Sequence, residues 1–241
     1  MIAPLHLPGP ARSAFLLDLD GTLLDIAAAP DRVVVPPDLP GNLRRLRALC
    51  GDALAVVSGR PIEQIDALLG DVPFAVAGAH GSEIRHTPEQ PIERLNLPPV
   101  PPEWLTEAAT LVRAHPGAML EAKPHGLVLH YRSVPQAGAA LQAGLARLVA
   151  ERPAYVLMAA KMAWELRPAG ADKGTAVHAL MLARPFLGRL PIFVGDDVTD
   201  EDGMTASRAL GGLGLRVPDV FGNAAGVRAW IASLAAGDGW A

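Results

Sequence analysis

The sequence predicts an α/β protein: a doubly wound, mostly parallel sheet interrupted by an inserted α+β unit. Three observations predict it. Apolar runs of strand length end abruptly in polar clusters, helical patterns separate those runs, and the middle of the chain switches to alternating strands between proline-rich borders.

The runs are Ala14-Phe15-Leu16-Leu17 into Asp18, Ala53-Leu54-Ala55-Val56-Val57 into Ser58, and Pro191-Ile192-Phe193-Val194 into Gly195-Asp196-Asp197. Short apolar runs without alternation suit strands buried on both faces. Between them, Leu39, Leu43, Leu46 and Leu49 space an amphipathic helix with Arg44, Arg45 and Arg47 on its wet side. Pro61 opens a second helix with Ile62, Ile65, Leu68 and Leu69 inward, proline being suited to the first helical position. Strand alternating with helix implies right-handed βαβ units. Such sheets bind ligands beyond the carboxyl ends of their strands, where the three polar clusters emerge.

The middle of the chain predicts helices near 103–115 and 136–151, each followed by two short strands: 118–123 and 126–132, then 154–159 and 161–167. Lys123-Pro124-His125-Gly126 and Ala159-Ala160 read as hairpin turns. The unit is αββαββ. Side chains repeat every second residue on a strand, so Met119, Glu121 and Lys123 share one face. Lys161, Ala163, Glu165 and Arg167 share one face of theirs, opposite Met162, Trp164 and Leu166. Residues 95–102 read as an inbound linker and Pro168-Ala169-Gly170 as the return. The expected organisation is a discontinuous core, 1–92 and 170–241, with an inserted lid at 93–169.

Bulk properties narrow the class. The 241 residues are 50% hydrophobic and 19% charged, as in ordinary globular proteins. A net charge of −4 offers no basic footprint, so neither nucleic acid nor a membrane surface is an expected partner. The single cysteine, Cys50, excludes an internal disulfide framework, lacks a CxxC companion and fits a reducing compartment. No apolar stretch reaches the ~20 residues of a transmembrane helix, and the first residues lack a secretory pattern. The expectation is cytoplasmic. Oligomeric state is left open.

The motifs carry the chemistry. Asp18 and Asp20, two residues apart just past a strand, can act on one phosphoryl group. Asp18 can attack phosphorus as a carboxylate, while Asp20 protonates the leaving alkoxide and later activates water. Gly21 lets the chain turn. Ser58-Gly59-Arg60 offers a hydroxyl, a flexible residue and a cation, with Arg60 open to an ion pair or to substrate. Lys173 falls in a helix's first turn, where the macrodipole disfavours it. Neutralising Asp18 and the transferring phosphoryl would explain it there.

Gly195-Asp196-Asp197-Val198-Thr199-Asp200-Glu201-Asp202 concentrates carboxylates that repel unless a cation or helix N-terminus absorbs them. Mg²⁺ is the natural candidate. Asp196 is the expected direct ligand beside Asp18 and the Asp20 carbonyl, while Asp197 and Asp200 orient it or hold Lys173. Glu201 and Asp202 read as an acidic first turn. An EF-hand is excluded, because the spacing lacks its central glycine and terminal glutamate.

These four clusters, in this order, resemble the haloacid-dehalogenase superfamily of phosphotransferases. Val57-Ser58-Gly59-Arg60, Gly78-Ala79-His80-Gly81-Ser82-Glu83, His130-Tyr131-Arg132, Lys161 with Glu165-Leu166-Arg167-Pro168, Lys173-Gly174 and the segment 195–202 look like the trehalose-6-phosphate phosphatase family. The resemblance spans about residues 14–204 and covers the αββαββ lid. It implies that Glu121, Lys123, Lys161 and Glu165 hold sugar hydroxyls and phosphate, supported by Arg132. His80 is expected to brace its loop, and His130 and Tyr131 to pack. From Leu210 onward the chain departs from the family pattern, with Gly211-Gly212-Leu213-Gly214 where a Val-Gly and a Thr-Ala-x-Tyr-x-Leu element are usual.

The reaction so implied is Mg²⁺-dependent release of phosphate from trehalose 6-phosphate through a phospho-aspartyl intermediate. The alternatives are a sibling phosphatase of the sucrose-phosphate or mannosyl-phosphoglycerate type, and a phosphosugar sensor without turnover. Intact Asp20 argues against the sensor, which needs no acid–base residue. A phosphomutase would need a wider set of basic residues.

Overall fold

The computed structural model describes residues 7–27, 32–123, 125–150, 152–160 and 162–240. The chain divides into two compact units, Met1–Leu95 with Asp172–Ala241, and Asn96–Ala171.

The first unit is built on a seven-stranded sheet. Its strands are β1 (Ser13–Leu17), β2 (Leu54–Val57), β3 (Ala75–Gly78), β4 (Glu83–Arg85), β5 (Glu93–Arg94), β10 (Leu190–Gly195) and β11 (Leu213–Arg216), in the order β11-β10-β1-β2-β3-β4-β5. The first five in that order pair in parallel, and β4 and β5 add an antiparallel edge. Strand order reverses between β10 and β1. That crevice is the switch point where open α/β sheets bind ligands.

Helices α1 (Leu39–Leu49), α2 (Ile62–Leu69), α5 (Lys173–Met181), α6 (Glu201–Ala209), the short α7 (Val217–Val220) and α8 (Ala224–Ala235) complete the unit. Every residue of β1 is fully buried, with Phe15 against Trp230 and Trp240 at centroid distances of 5.9 and 6.0 Å. Leu39, Leu43 and Leu46 enter the core as their spacing requires. Leu49 does not: it is 44% exposed, because α1 ends there and the chain turns at Gly51 with φ +52°. Burial pushes the Cys50 thiol up to about 12, so it behaves as a small hydrophobe. Among the described residues no helix is long and apolar enough to cross a membrane.

Strands β3, β4, β5 and β11 are additions to the three strands read from apolar runs. β3 is apolar and fully buried but only four residues long. β4 and β5 are short and polar, and β11 (Leu-Gly-Leu-Arg) is four residues ending in a charge, so neither periodicity nor a long apolar run marks them.

The second unit holds α3 (Pro102–Ala114), β6 (Met119–Ala122), β7 (Leu127–His130), α4 (Gly138–Val149), β8 (Tyr155–Ala160) and β9 (Ala163–Pro168). Its antiparallel sheet runs β6-β7-β9-β8. Trp104 and Ala108 of α3 and Leu141 and Leu145 of α4 pack against Leu127, Leu129 and Leu166 on one sheet face. The second hairpin turns later than expected: Ala160 is still in the strand, and Met162 takes φ +58°. Trp164 donates from Nε1 to Gly138 O of α4 at 2.9 Å, so Trp164 and Leu166 face the helices. Glu165 and Arg167 therefore point to the other face, with Glu121 and Val128 in register on the same side.

Candidate active site

In the first unit, β1 carries Asp18 to the switch point and pairing fixes it there. The Asp18 amide donates to Val194 O at 2.9 Å, extending the β1–β10 ladder one residue past the strand and setting Asp18 beside the end of β10. The chain then folds back, with the Gly21 amide donating to Leu24 O at 2.7 Å. Gly21 has φ +83°, and a Cβ there would lie 2.2 Å from Asp196 Oδ2. Only glycine combines that dihedral with that approach.

At the end of β10, Asp200 folds back under its own loop. Its Oδ2 accepts from the Asp196 and Asp197 amides at 3.0 Å each, and its Oδ1 accepts from Lys173 Nζ at 2.5 Å. Lys173 also donates to Asp18 Oδ1 at 2.6 Å. Asp172 caps α5, accepting from the Thr175 amide at 2.7 Å, so the helix start that carries Lys173 is anchored. The first-turn lysine is thus explained by two buried carboxylates that outweigh the macrodipole. Asp197 accepts from the Val198 amide at 2.7 Å and serves the turn.

Carboxylate oxygens of Asp18, Asp196 and Asp200 lie within 4.8 Å of one another. Burial, reinforced by Asp200 and Asp196 and opposed by Lys173, raises the Asp18 carboxyl to about 7. Burial, with Asp200 and Asp197 alongside, raises Asp196 to about 6. Burial works against the Lys173 ammonium, yet Asp18 and Asp200 hold it above its ordinary value. Three carboxylates against one ammonium leave the cluster short of positive charge. Its hard oxygen donors fit a divalent ion of the Mg²⁺ class. Asp200 is committed on both oxygens, so Asp18 and Asp196 are the side chains best placed to hold such an ion.

Ser58, Gly59 and Arg60 leave the neighbouring strand β2. The Ser58 amide donates to Ala77 O at 2.8 Å, and its Oγ, 1% exposed for the residue, accepts from the Arg60 amide at 3.2 Å. Arg60 grips Asp20 with a fork: Nε to Oδ2 at 2.6 Å and a terminal nitrogen to Oδ1 at 2.8 Å. The ion-pair reading of Arg60 is the arrangement seen here. The loop after β3 braces this one. His80 and Ala79, both in left-handed backbone at φ +57° and +47°, donate their amides to Ser58 O at 3.0 Å and Arg60 O at 2.8 Å. A Cβ on Gly59 would meet the His80 ring at 2.6 Å. Glu83 closes the motif by accepting from the Ile62 amide at the start of α2, at 3.0 Å. The sequence marked this motif, but nothing local to it names Glu83's partner.

In the second unit, Lys123 donates to Glu165 Oε1 at 3.1 Å and Glu121 accepts from His130 Nε2 at 2.8 Å, all on the helix-free sheet face. Arg132 is exposed just past β7. Lys161 lies outside the described residues. Tyr131 packs as expected, stacked on Trp164 at 6.4 Å and touching the position of Gly138. His130 does not pack. Its ring turns to Glu121, because it follows Leu129 on a strand and so takes the opposite face.

The trehalose-phosphatase family model matches residues 16–227. The chain is 38% identical over 208 residues to the trehalose-6-phosphate phosphatase of Escherichia coli (strain K12), covering 86% of this chain and 78% of that protein. It is 38% identical over 205 residues to a probable trehalose-phosphate phosphatase of Sinorhizobium fredii (strain NBRC 101917 / NGR234), covering 85% and 77%. The solved C-terminal domain of the C. albicans trehalose-6-phosphate phosphatase superposes with a TM-score of 0.76 at 21% identity, over 94% of this chain and 93% of that one, and shows the same fold. With the sheet order, the acidic cluster at its switch point and these matches in agreement, the chain belongs to the trehalose-phosphatase family.

Proposed function

We propose that this protein hydrolyses trehalose 6-phosphate to trehalose and phosphate through a phospho-aspartyl intermediate on Asp18, in the cytoplasm, where its lone buried cysteine stays reduced. The observation that carries the reading is the Asp18–Lys173–Asp200 chain beside Asp196, a nucleophile with its charge partner at the sheet's switch point.

Asp18 Oδ2 is the attacking oxygen, since Oδ1 is engaged by Lys173. A bond forms from Oδ2 to phosphorus as the bond from phosphorus to the sugar oxygen breaks, and Asp20 gives its proton to that oxygen. Water then attacks the phosphoryl group, passes a proton to Asp20 and frees Asp18. Lys173 offsets charge on the equatorial oxygens, with the Ser58 hydroxyl as a further donor. Asp20 must first leave the Arg60 fork, after which the guanidinium can turn to the phosphate. Asp18 and Asp196 would hold Mg²⁺, with the Asp20 carbonyl beside them. When bound, the ion neutralises the phosphate and fixes its orientation. Asp200 and Asp197 would keep that loop in place.

The second unit supplies sugar recognition as the inserted substrate domain. Glu121, Lys123 and Glu165, with Lys161 and Arg132, offer charged donors and acceptors to hydroxyls, and a sugar that fails to pair them is rejected. The family match over residues 16–227 favours this substrate over the sucrose-phosphate and mannosyl-phosphoglycerate siblings. A phosphate-release screen across sugar phosphates, with and without EDTA, tests the reading. Metal-dependent release is expected to be fastest from trehalose 6-phosphate. Faster release from a sibling substrate would reassign it, and binding without release would turn it into a sensor.

A further inference from the structure

We propose that His130 is a positioning residue for sugar specificity: it orients the Glu121 carboxylate, an inference that rests on the assignment of the helix-free sheet face to the sugar. In the β6–β7 ladder His130 lies opposite Met119 and Glu121 opposite Val128, so the two are diagonal neighbours on one face. His130 Nε2 donates to Glu121 Oε2 at 2.8 Å.

The pair is partly exposed, with side-chain accessibilities of 38% and 52%. Pairs so open to solvent contribute little to stability. Their consequence is conformational. A free glutamate samples many rotamers, whereas this one has one oxygen fixed and the other directed for a hydroxyl donor. Holding a long side chain in its bound geometry before the ligand arrives removes part of the ordering cost of binding. The imidazole is carried on a strand, not a loop, so it can impose that geometry. On the same face, Lys123 and Glu165 form a second pair at 3.1 Å. Two carboxylates, an imidazole and an ammonium thus lie side by side, which suits the vicinal hydroxyls of a glucosyl ring. Phosphate by itself would be poorly served by two carboxylates.

Steady-state kinetics on trehalose 6-phosphate and on p-nitrophenyl phosphate, which has no sugar, test this. His130→Ala is expected to raise KM for trehalose 6-phosphate by roughly three- to tenfold with kcat within about twofold. The ratio of kcat/KM for trehalose 6-phosphate over p-nitrophenyl phosphate falls accordingly. His130→Gln, whose amide nitrogen falls near the position of Nε2, restores most of that ratio. The double variant with Glu121→Ala is no worse than Glu121→Ala alone, because both act through one contact. Equal losses on the two substrates, full additivity in the double variant, or no rescue by glutamine would each overturn the proposal. If Glu121→Ala leaves KM unchanged in a protein that still hydrolyses trehalose 6-phosphate, the assignment of the sheet face to the sugar fails. If Glu121→Ala raises KM and His130→Ala does not, only the role of His130 fails.

Discussion

Gly21 and Asp196 are packed so closely that a Cβ at residue 21 would stand 2.2 Å from Asp196 Oδ2, in a backbone already at φ +83°. The absence of a side chain at one position defines where the carboxylate of another can rest. Gly21→Ala is expected to retain the fold, since left-handed strain for alanine costs on the order of 1–2 kcal/mol. The displaced carboxylate should weaken Mg²⁺ binding about 10–100-fold, the range seen when a ligand's support is disturbed. Titration calorimetry with Mg²⁺ checks it. Unchanged affinity would remove Asp196 from the ligand set.

Lys173 stands between Asp18 and Asp200 at 2.6 and 2.5 Å and is 3% exposed. Lys173→Ala leaves two buried carboxylates facing each other without their cation, an arrangement that costs about 3–5 kcal/mol. The variant should unfold at markedly lower denaturant and lose turnover. Urea titration and phosphate release read the two effects separately. Lys173→Met keeps the volume and should still fail in turnover; an active Lys173→Met enzyme would contradict the charge-neutralising role.

Asp20→Asn removes the proposed acid while keeping its size and one acceptor for Arg60. Turnover of trehalose 6-phosphate should fall roughly 10²–10⁴-fold. p-Nitrophenyl phosphate, whose phenolate leaves without a proton, should lose far less in the step that forms the phospho-enzyme. Burst kinetics on both substrates measure it. Equal losses would mean that Asp20 is not the acid.

Asp18 and Asp196 have carboxyls raised to about 7 and about 6 by burial and, after it, by neighbouring carboxylates, Asp200 foremost. A raised folded-state value means that the folded protein binds the proton more tightly than the unfolded chain, whose carboxyls titrate near the ordinary value of 3.8. Between those values the folded state carries more protons, so this contribution to stability is present at low pH and is lost as pH rises from about 4 to about 7. On the proposed reading, Mg²⁺ competes with those same protons. The rise in melting temperature on adding Mg²⁺ to EDTA-treated protein should therefore grow between pH 5 and 7. Scanning fluorimetry across that range checks it, and a metal effect that is flat with pH would separate the ion from these carboxylates.

Much of the architecture was legible because local patterns report local geometry. The runs ending at Asp18, Ser58 and Asp196 became β1, β2 and β10, and the alternation of Glu121 and Lys123, and of Glu165 and Arg167, gave the correct sheet faces. The polar strands β4 and β5 and the four-residue β11 were hidden, because they are defined by the neighbour they pair with and not by their own composition. Leu49 shows the same limit in a helix. Its spacing pointed inward, but the helix ended before it had a partner.

By itself, the sequence determined the chemical inventory: which carboxylates, lysine and hydroxyl exist, and that strand ends carry them. The tertiary structure alone decided who partners whom. Asp200, not Asp197, became the anchor of Lys173; Arg60 took Asp20; His130 left the apolar layer for Glu121. The reason is physical. Periodicity is written over a few residues, whereas Lys173 meets Asp18 across 155 positions and Arg60 meets Asp20 across 40. Such pairs are fixed by strand order and by the space that a missing Cβ leaves open.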